Sequence, residues 1–400
     1  LISLAGTATW RHVRLPTRSP WQEASTTRRT SAVEGSRLLS LDALRGLAVA
    51  GMIVVNHPGD PEHVWPALAH ARWNGWTFAD LLFPAFLFIV GVAIALSLAS
   101  RRRSHGMSWP VMRRVLLRSL TLFGLGLLLN AFPFFELASL RIPGVLQRIA
   151  LCYLLASLAF LGLDVTGQVI LMVGLLAAYW ILMTRVPVPG HGAGLLEPGA
   201  DLGAWIDRLA LHGHLAHGSW DPEGVLSTLP ALASTLMGVV AGHWIGGARS
   251  ARAKSAGLVA AGVGGVVLGA LAGRWFPINK NLWTSSFAIF TGGMSALLFG
   301  VVCWLVDVRG HRRIAVPFVV FGRNPIVLYV LATLVAKTLD TVRVHHGNGT
   351  TSPLREVLYR HGFASWTGPT AGSFLFALVL VAAWLLPMAA LYRRGIFIKV

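Results

Sequence analysis

The stretch from Phe78 to Ala99 reads FADLLFPAFLFIVGVAIALSLA, and Ser100, Arg101, Arg102 and Arg103 follow it at once. Its one charged residue, Asp80, stands near its beginning. As an α-helix rising about 1.5 Å per residue, such a run crosses the roughly 30 Å of hydrocarbon in a bilayer. The arginines at its end fix that end on the cytoplasmic side. Nine other apolar segments repeat the pattern: Leu44 to His57, Val115 to Phe132, Gly144 to Leu163, Val165 to Met183, Val225 to Ile245, Ala256 to Gly273, Trp283 to Val306, Ile314 to Ala336 and Ser373 to Leu391. The chain is therefore expected to be all-α, a polytopic transmembrane helical bundle of about ten spans. The first segment is short unless it begins near Leu39, which would draw Asp42 and Arg45 into the membrane interface.

Composition agrees with this reading. The 400 residues are 54% hydrophobic and only 12% charged, against about 25% charged in a soluble domain. A net charge of +18 invites a nucleic-acid partner, so the placement of the basic residues decides. Arg101 to Arg103, Arg113, Arg114 and Arg118, then Arg249, Arg252 and Lys254, then Arg309, Arg312 and Arg313, and finally Arg393, Arg394 and Lys399 all fall on one side if the N-terminus is inside. The scattered outer bases are balanced by Asp60, Glu62, Glu136, Glu197, Asp201, Asp207, Asp221 and Glu223. This positive-inside pattern accounts for the excess charge with the lipid bilayer as partner and no nucleic acid, and it predicts both termini in the cytoplasm. Residues 1–36 are polar and Arg-rich and lack the apolar core of a secretory signal, so they are expected to form a disordered cytoplasmic leader. Cys152 and Cys303 both lie inside apolar runs, which points away from a disulfide framework or a zinc site. The outer loops, Pro58 to Trp76, Arg185 to Gly224 and Lys337 to Thr370, are expected to form an outward-facing cap.

Several polar residues sit where an apolar run makes them costly. On the first helix Asp42, Arg45, Val49 and Asn56 fall within roughly 60° of one another at 100° per residue. That stripe reads either as interface anchors or as the wall of a polar cavity. Before the second span, Asn74-Gly75 marks a turn and Thr77 with Asp80 forms a capping box. Pro84 removes the amide that would bond the Asp80 carbonyl, which predicts an irregular helix start. His70, ahead of that turn, has the chemistry of a general base or a nucleophile, although interfacial histidines are commonly just solvated. Gln147 and Arg148 open the fourth span, and an arginine at a helix centre costs about 2.5 to 3.5 kcal/mol unless it meets an anion, a wet cavity or the surface. Arg323-Asn324-Pro325 breaks the ninth span, and broken helices at membrane depth line cavities. Asn279, Lys280, Trp283 and Ser286 stand before the eighth span with a cation and amides suited to a phosphate, a carboxylate or a sugar, or to an ordinary interfacial cap. His212, His214 and His217 read as a loop rather than a metal site, given their Gly and Ala neighbours.

The order of these motifs carries a resemblance. Arg37-Leu38-Leu39-Ser40-Leu41-Asp42-Ala43-Leu44-Arg45-Gly46, Val55-Asn56, His70-Ala71 through Trp73-Asn74-Gly75, Ala79-Asp80-Leu81, Gly144 to Arg148, Asp221 to Pro230, Asn279 to Ser286 and Phe321 to Pro325 together resemble the heparan-alpha-glucosaminide N-acetyltransferase family and its bacterial relatives. The similarity runs from about Arg37 to Val400, so residues 37–400 are expected to be one transmembrane acyltransferase domain in a bacterial inner membrane. The resemblance implies transfer of an acetyl group from cytosolic acetyl-CoA to the amine of a glucosamine or related glycan on the far side. It implies that His70 is catalytic and that Asn56 positions the acyl carbonyl or the acceptor. Asp42, Arg45, Arg148, Lys280 and Asn324 are then candidates for holding acetyl-CoA. Asn74, Asp80, Gln147, Asn279, Trp283 and Ser286 are candidates for the acceptor. No metal is expected, and a homodimer is left open. The rival reading is an amino-sugar permease that uses the same polar residues as a pathway and makes no bond. The acyltransferase reading requires the helices to enclose a passage along which a thioester from the inner side meets the His70 ring.

Overall fold

The computed structural model describes residues 38–345 and 350–398. The expected leader falls outside them, as does Lys399. The helices are α1 (Leu39–Asn56), α2 (Phe78–His105), α3 (Trp109–Ala131), α4 (Val145–Gly162), α5 (Val165–Arg185), α6 (Leu202–Ala210), α7 (Thr228–Gly246), α8 (Ala251–Ala272), α9 (Ser285–Cys303), α10 (Arg312–Arg323), α11 (Pro325–Thr341), α12 (Leu354–Tyr359) and α13 (Pro369–Arg393). Among the described residues nine helices are each long and apolar enough to cross a membrane. A tenth span is the pair α10 and α11, bent by 74° at Asn324. The chain is thus an all-α, multi-pass integral membrane protein, and its first span does begin at Leu39.

Alternating the spans places Arg101, Arg102, Arg113, Arg114, Arg118, Arg249, Arg252, Lys254, Arg309, Arg312, Arg313, Arg393 and Arg394 at one end of the bundle. The opposite end carries α6, α12 and two short antiparallel hairpins, β1 (Pro187–Val188) with β2 (Gly192–Ala193) and β3 (Arg343–His345) with β4 (Thr351–Pro353). This cap has an apolar centre of its own, with Tyr179, Met183, Val188, Leu202, Phe276 and Leu282 packed together. Arg141 ties it down by donating to both Asp221 oxygens, at 2.8 and 2.7 Å, and to Glu223. The ninth span outlasts its expected end at Ala336, because Lys337 turns its ammonium to the Leu129 and Phe132 carbonyls that close α3. Those carbonyls have no partner within their own helix, and a lysine is suited to them.

In hydrocarbon, helices associate through close van der Waals packing rather than by expelling water. Several glycines among the described residues serve that need. A Cβ on Gly91 of α2 would stand 1.9 Å from the Thr235 carbonyl oxygen of α7, and one on Gly238 of α7 would stand 1.9 Å from that of Phe88. Gly46 and Gly322 let α1 and α10 touch in the same way, against Phe318 and Asp42. The α2 span is 72% buried while α5 and α13 are each 17% buried, so α2 is central and the other two face lipid.

Candidate active site

The site begins with the α2 cap. Thr77 is the N-cap residue and Asp80 the third residue of the helix, and both halves of the capping box form. Asp80 Oδ2 accepts from the Thr77 amide at 3.0 Å, the Thr77 hydroxyl at 3.1 Å and the Ala71 amide at 3.1 Å. Its Oδ1 faces His70 Nδ1 at 2.8 Å and Lys280 Nζ at 3.4 Å. The carboxyl group is fully buried, whereas the His70 side chain is 43% exposed. A carboxylate surrounded by donors can only accept, so Nδ1 carries the hydrogen, and in the neutral ring the lone pair stands on Nε2. The irregularity expected at Pro84 does not appear, for α2 runs on through it. Pro84 is the seventh residue of the helix, so the Asp80 carbonyl still loses its usual amide partner, and the helix continues across that single missing bond.

Lys280 comes from the strap between α8 and α9, which is pinned to the loop before α2. Asn74 and Asn279 form an antiparallel bridge, the Gly75 amide donates to the Ile278 carbonyl at 2.8 Å, and Asn279 Nδ2 donates to Asn74 Oδ1 at 3.1 Å. Gly75 holds φ +100, a conformation that favours glycine. Asn279 Oδ1 accepts from the Leu282 amide, and Thr284 caps α9. Between them Trp283 adopts φ +51. Such strain in a non-glycine residue persists only where its surroundings hold it. Here Trp283 is 1% exposed, its indole donates to Ser234, and the Arg148 guanidinium lies 5.1 Å from its ring centroid. Burial lowers the Lys280 pKa, and the Asp80 charge opposes that shift.

Arg148 does not snorkel to the surface. It is fully buried, donating through Nη2 to the Gly224 carbonyl and the Ser227 hydroxyl, while its Nε and Nη1 find no partner. Gln147 packs towards Gly126 and Gly144 with its Nε2 unpartnered. The Ser286 hydroxyl donates to the Phe276 and Pro277 carbonyls, which secures the strap. Asn56 ends α1 exposed, and the bonds joining His70, Asp80 and Lys280 do not include it. Burial pushes its neighbour His57 down to about 4. At the other end of α1, Asp42 pairs with Arg45 at 2.9 Å, with Arg323 Nε 3.9 Å away. Asn324 is occupied by the C-terminal segment, bonding the Ile396 carbonyl and the Ile398 amide. Tyr179, whose hydroxyl holds the Leu282 carbonyl of the strap, and the Arg141 network are parts of the site's support that no local motif announces.

The gap between α1, α2, α4 and α11 is about 10 Å³, lined by Val49, Met52, Phe86, Ile149 and Tyr329 among others. It has room for only about one water, so these helices are closely packed there. A groove of about 1080 Å³ lies elsewhere, between α5, α7, α8 and α9, and its lining is almost wholly apolar.

A family described as heparan-alpha-glucosaminide N-acetyltransferase, catalytic, matches residues 37–275. The chain belongs to this family. Two relatives carry the name heparan-alpha-glucosaminide N-acetyltransferase. The Mus musculus protein is 32% identical over 361 residues, covering 76% of this chain and 54% of the relative. The Homo sapiens protein is 32% identical over 352 residues, covering 74% and 52%. The chain therefore spans about half the length of these N-acetyltransferases. His70, Asp80 and Arg148 lie inside the matched catalytic region, and Lys280 lies just beyond it.

Proposed function

We propose that this protein is a membrane-embedded acyltransferase that moves an acetyl group from cytosolic acetyl-CoA to the amine of an amino sugar or glycan on the extracytoplasmic side. The observation that carries the reading is the buried Asp80 carboxylate on Nδ1 of His70, because it orients the ring and leaves Nε2 basic and half open to the cap side. Membership of an N-acetyltransferase family supports the reaction class. Nε2 acts either by taking a proton from the acceptor amine as it attacks the thioester or by carrying the acetyl group itself. Asn74, exposed and bonded to Asn279 on the strap that carries Lys280, suits a sugar hydroxyl. The unpartnered nitrogens of Arg148 suit an anionic group of the donor. Arg45 would hold a CoA phosphate only by giving up part of its bond to Asp42. A donor path through that packed gap would need α1, α4 and α11 to part. The positive-inside pattern supports a cytoplasmic face at the basic end, from which the donor would enter, as in a bacterial inner membrane.

The test uses purified protein in lipid nanodiscs. CoA thiol should be released from acetyl-CoA only when an amino sugar such as glucosamine is present, and His70→Ala should abolish the release while melting within a few degrees of the wild type. Accumulation of unmodified labelled amino sugar in proteoliposomes, with no thiol released, would instead establish the permease. Equal turnover in His70→Ala would remove the ring from the reaction.

A further inference from the structure

Lys280 Nζ lies 2.9 Å from His70 Nδ1 and 3.3 Å from His70 Nε2. These two nitrogens flank a single ring carbon. A point at that range and nearly equidistant from both cannot lie in the ring plane without overlapping that carbon or the opposite ring edge. The ammonium therefore sits over the face of the imidazole. Both in-plane directions stay clear of it, so the Nδ1–H bond to Asp80 and the outward lone pair of Nε2 coexist with a cation next to them. Its position is built: Asp80 Oδ1 holds it at 3.4 Å, the Asn74–Asn279 bridge holds its strap, and the strained Trp283 follows it. The lysine side chain is only 17% exposed.

We propose that Lys280 is a catalytic residue, the cation that receives the carbonyl oxygen of the acyl group when His70 Nε2 attacks its carbon. This rests on the acyltransferase reading above and adds a second reacting group to it. The Nε2 lone pair bonds to the thioester carbonyl carbon, and the carbonyl π pair moves onto oxygen. A carbon bonded in the ring plane becomes tetrahedral, so that oxygen rises out of the plane on the face where the ammonium lies. Collapse re-forms the carbonyl and breaks the carbon–sulfur bond, the electron pair leaving on CoA as thiolate while Asp80 takes the Nδ1 proton. When the acceptor amine attacks, the oxygen is charged again at the same place. The second collapse returns the pair to Nε2, Nδ1 regains its proton from Asp80, and the surplus amine proton neutralises the thiolate. The balance is acetyl-CoA and amine to acetamide and CoA thiol. A fixed cation at a developing oxyanion is a large catalytic effect because it needs no reorganisation.

Two measurements on Lys280→Met and Lys280→Arg test this, with Lys280→Gln replacing the first if it does not fold. Loss of the cation should lower kcat for acetyl transfer by about 10² to 10³ and leave KM for acetyl-CoA unchanged, and Lys280→Arg should recover part of the loss. A raised KM with unchanged kcat would make Lys280 a donor-binding residue and overturn the proposal. The second readout needs neither acetyl-CoA nor an amino sugar. Diethyl pyrocarbonate acylates an imidazole nitrogen through the same kind of tetrahedral oxyanion, and peptide mass spectrometry gives its rate at His70. That rate should fall by about tenfold or more in Lys280→Met, equivalent to about 1.4 kcal/mol or more of barrier. Equal rates would overturn the proposal. A wild type that shows this difference yet transfers no acetyl group would sink the acyltransferase reading and not the contact.

Discussion

Asp80 does two jobs at one carboxylate. Oδ2 closes the helix cap through Thr77 and Ala71, and Oδ1 holds the reactive ring. Replacing it with asparagine turns one acceptor oxygen into an NH2 that faces donors. Asp80→Asn should therefore lower acetyl transfer by about 10²- to 10⁴-fold, as expected when a general base loses its orienting partner. It should also cost about 1 to 3 kcal/mol of stability through unpaired buried donors. Thiol release and melting temperature measured on one preparation separate the two effects. Asp207, in the cap, behaves oppositely. Burial raises its pKa from the usual 3.8 to about 6, against the bond it accepts from the Val225 amide. Below 3.8 folded and unfolded chains both hold the proton. Between there and about 6 the unfolded chain ionises first, so stability falls as pH rises, and above about 6 the loss is complete. Asp207→Asn keeps an acceptor for Val225 and carries no charge. It should raise stability by up to about 3 kcal/mol at pH 7, and the gain should vanish near about pH 4. A melting-temperature series across that range checks the sign.

At the scale of elements, the contact between α2 and α7 is backbone on backbone. Gly238→Val would force atoms into the Phe88 carbonyl. It should prevent assembly, read as aggregation in size-exclusion chromatography of detergent-solubilised protein. Gly264→Ala, where an added Cβ meets nothing within 4 Å, should be neutral or slightly stabilising, since alanine is the better helix former by about 1 kcal/mol. The α2 cap is legible in the amino-acid sequence, because Thr77 and Asp80 are three residues apart and their bonds are local. The strap is legible there as a polar cluster ahead of α9 but not as the partner of His70, because the Asn74–Asn279 bridge joins residues far apart in the chain. Lys280 shows the consequence. Its charge suits a phosphate, a carboxylate or a sugar, and the strap carries it to the Asp80 carboxylate and the His70 imidazole.

For the whole molecule, charge placement dictates topology. A cysteine at Arg252, on the basic end, should react with a membrane-impermeant maleimide only after the cells are opened. One at His212, in the cap, should react in intact cells. Cys152 and Cys303 are buried in the bundle and should stay unlabelled in both, which leaves the background low. The large groove between α5 and α8 lies within the spans and has an almost wholly apolar lining, which suits hydrocarbon surroundings.

The amino-acid sequence alone determined the helical bundle, its nine or ten spans, which loops share an end of it and the cap at Thr77. Each of these follows from length, polarity or spacing within a few turns, and the bilayer reads those quantities directly. Only the tertiary structure decided that His70, Asp80 and Lys280 meet and that Arg148 is buried beneath Trp283. Those outcomes depend on which helix ends come together, and that is settled by close packing of small residues and by bonds between distant loops. Hydropathy and spacing carry no term for either.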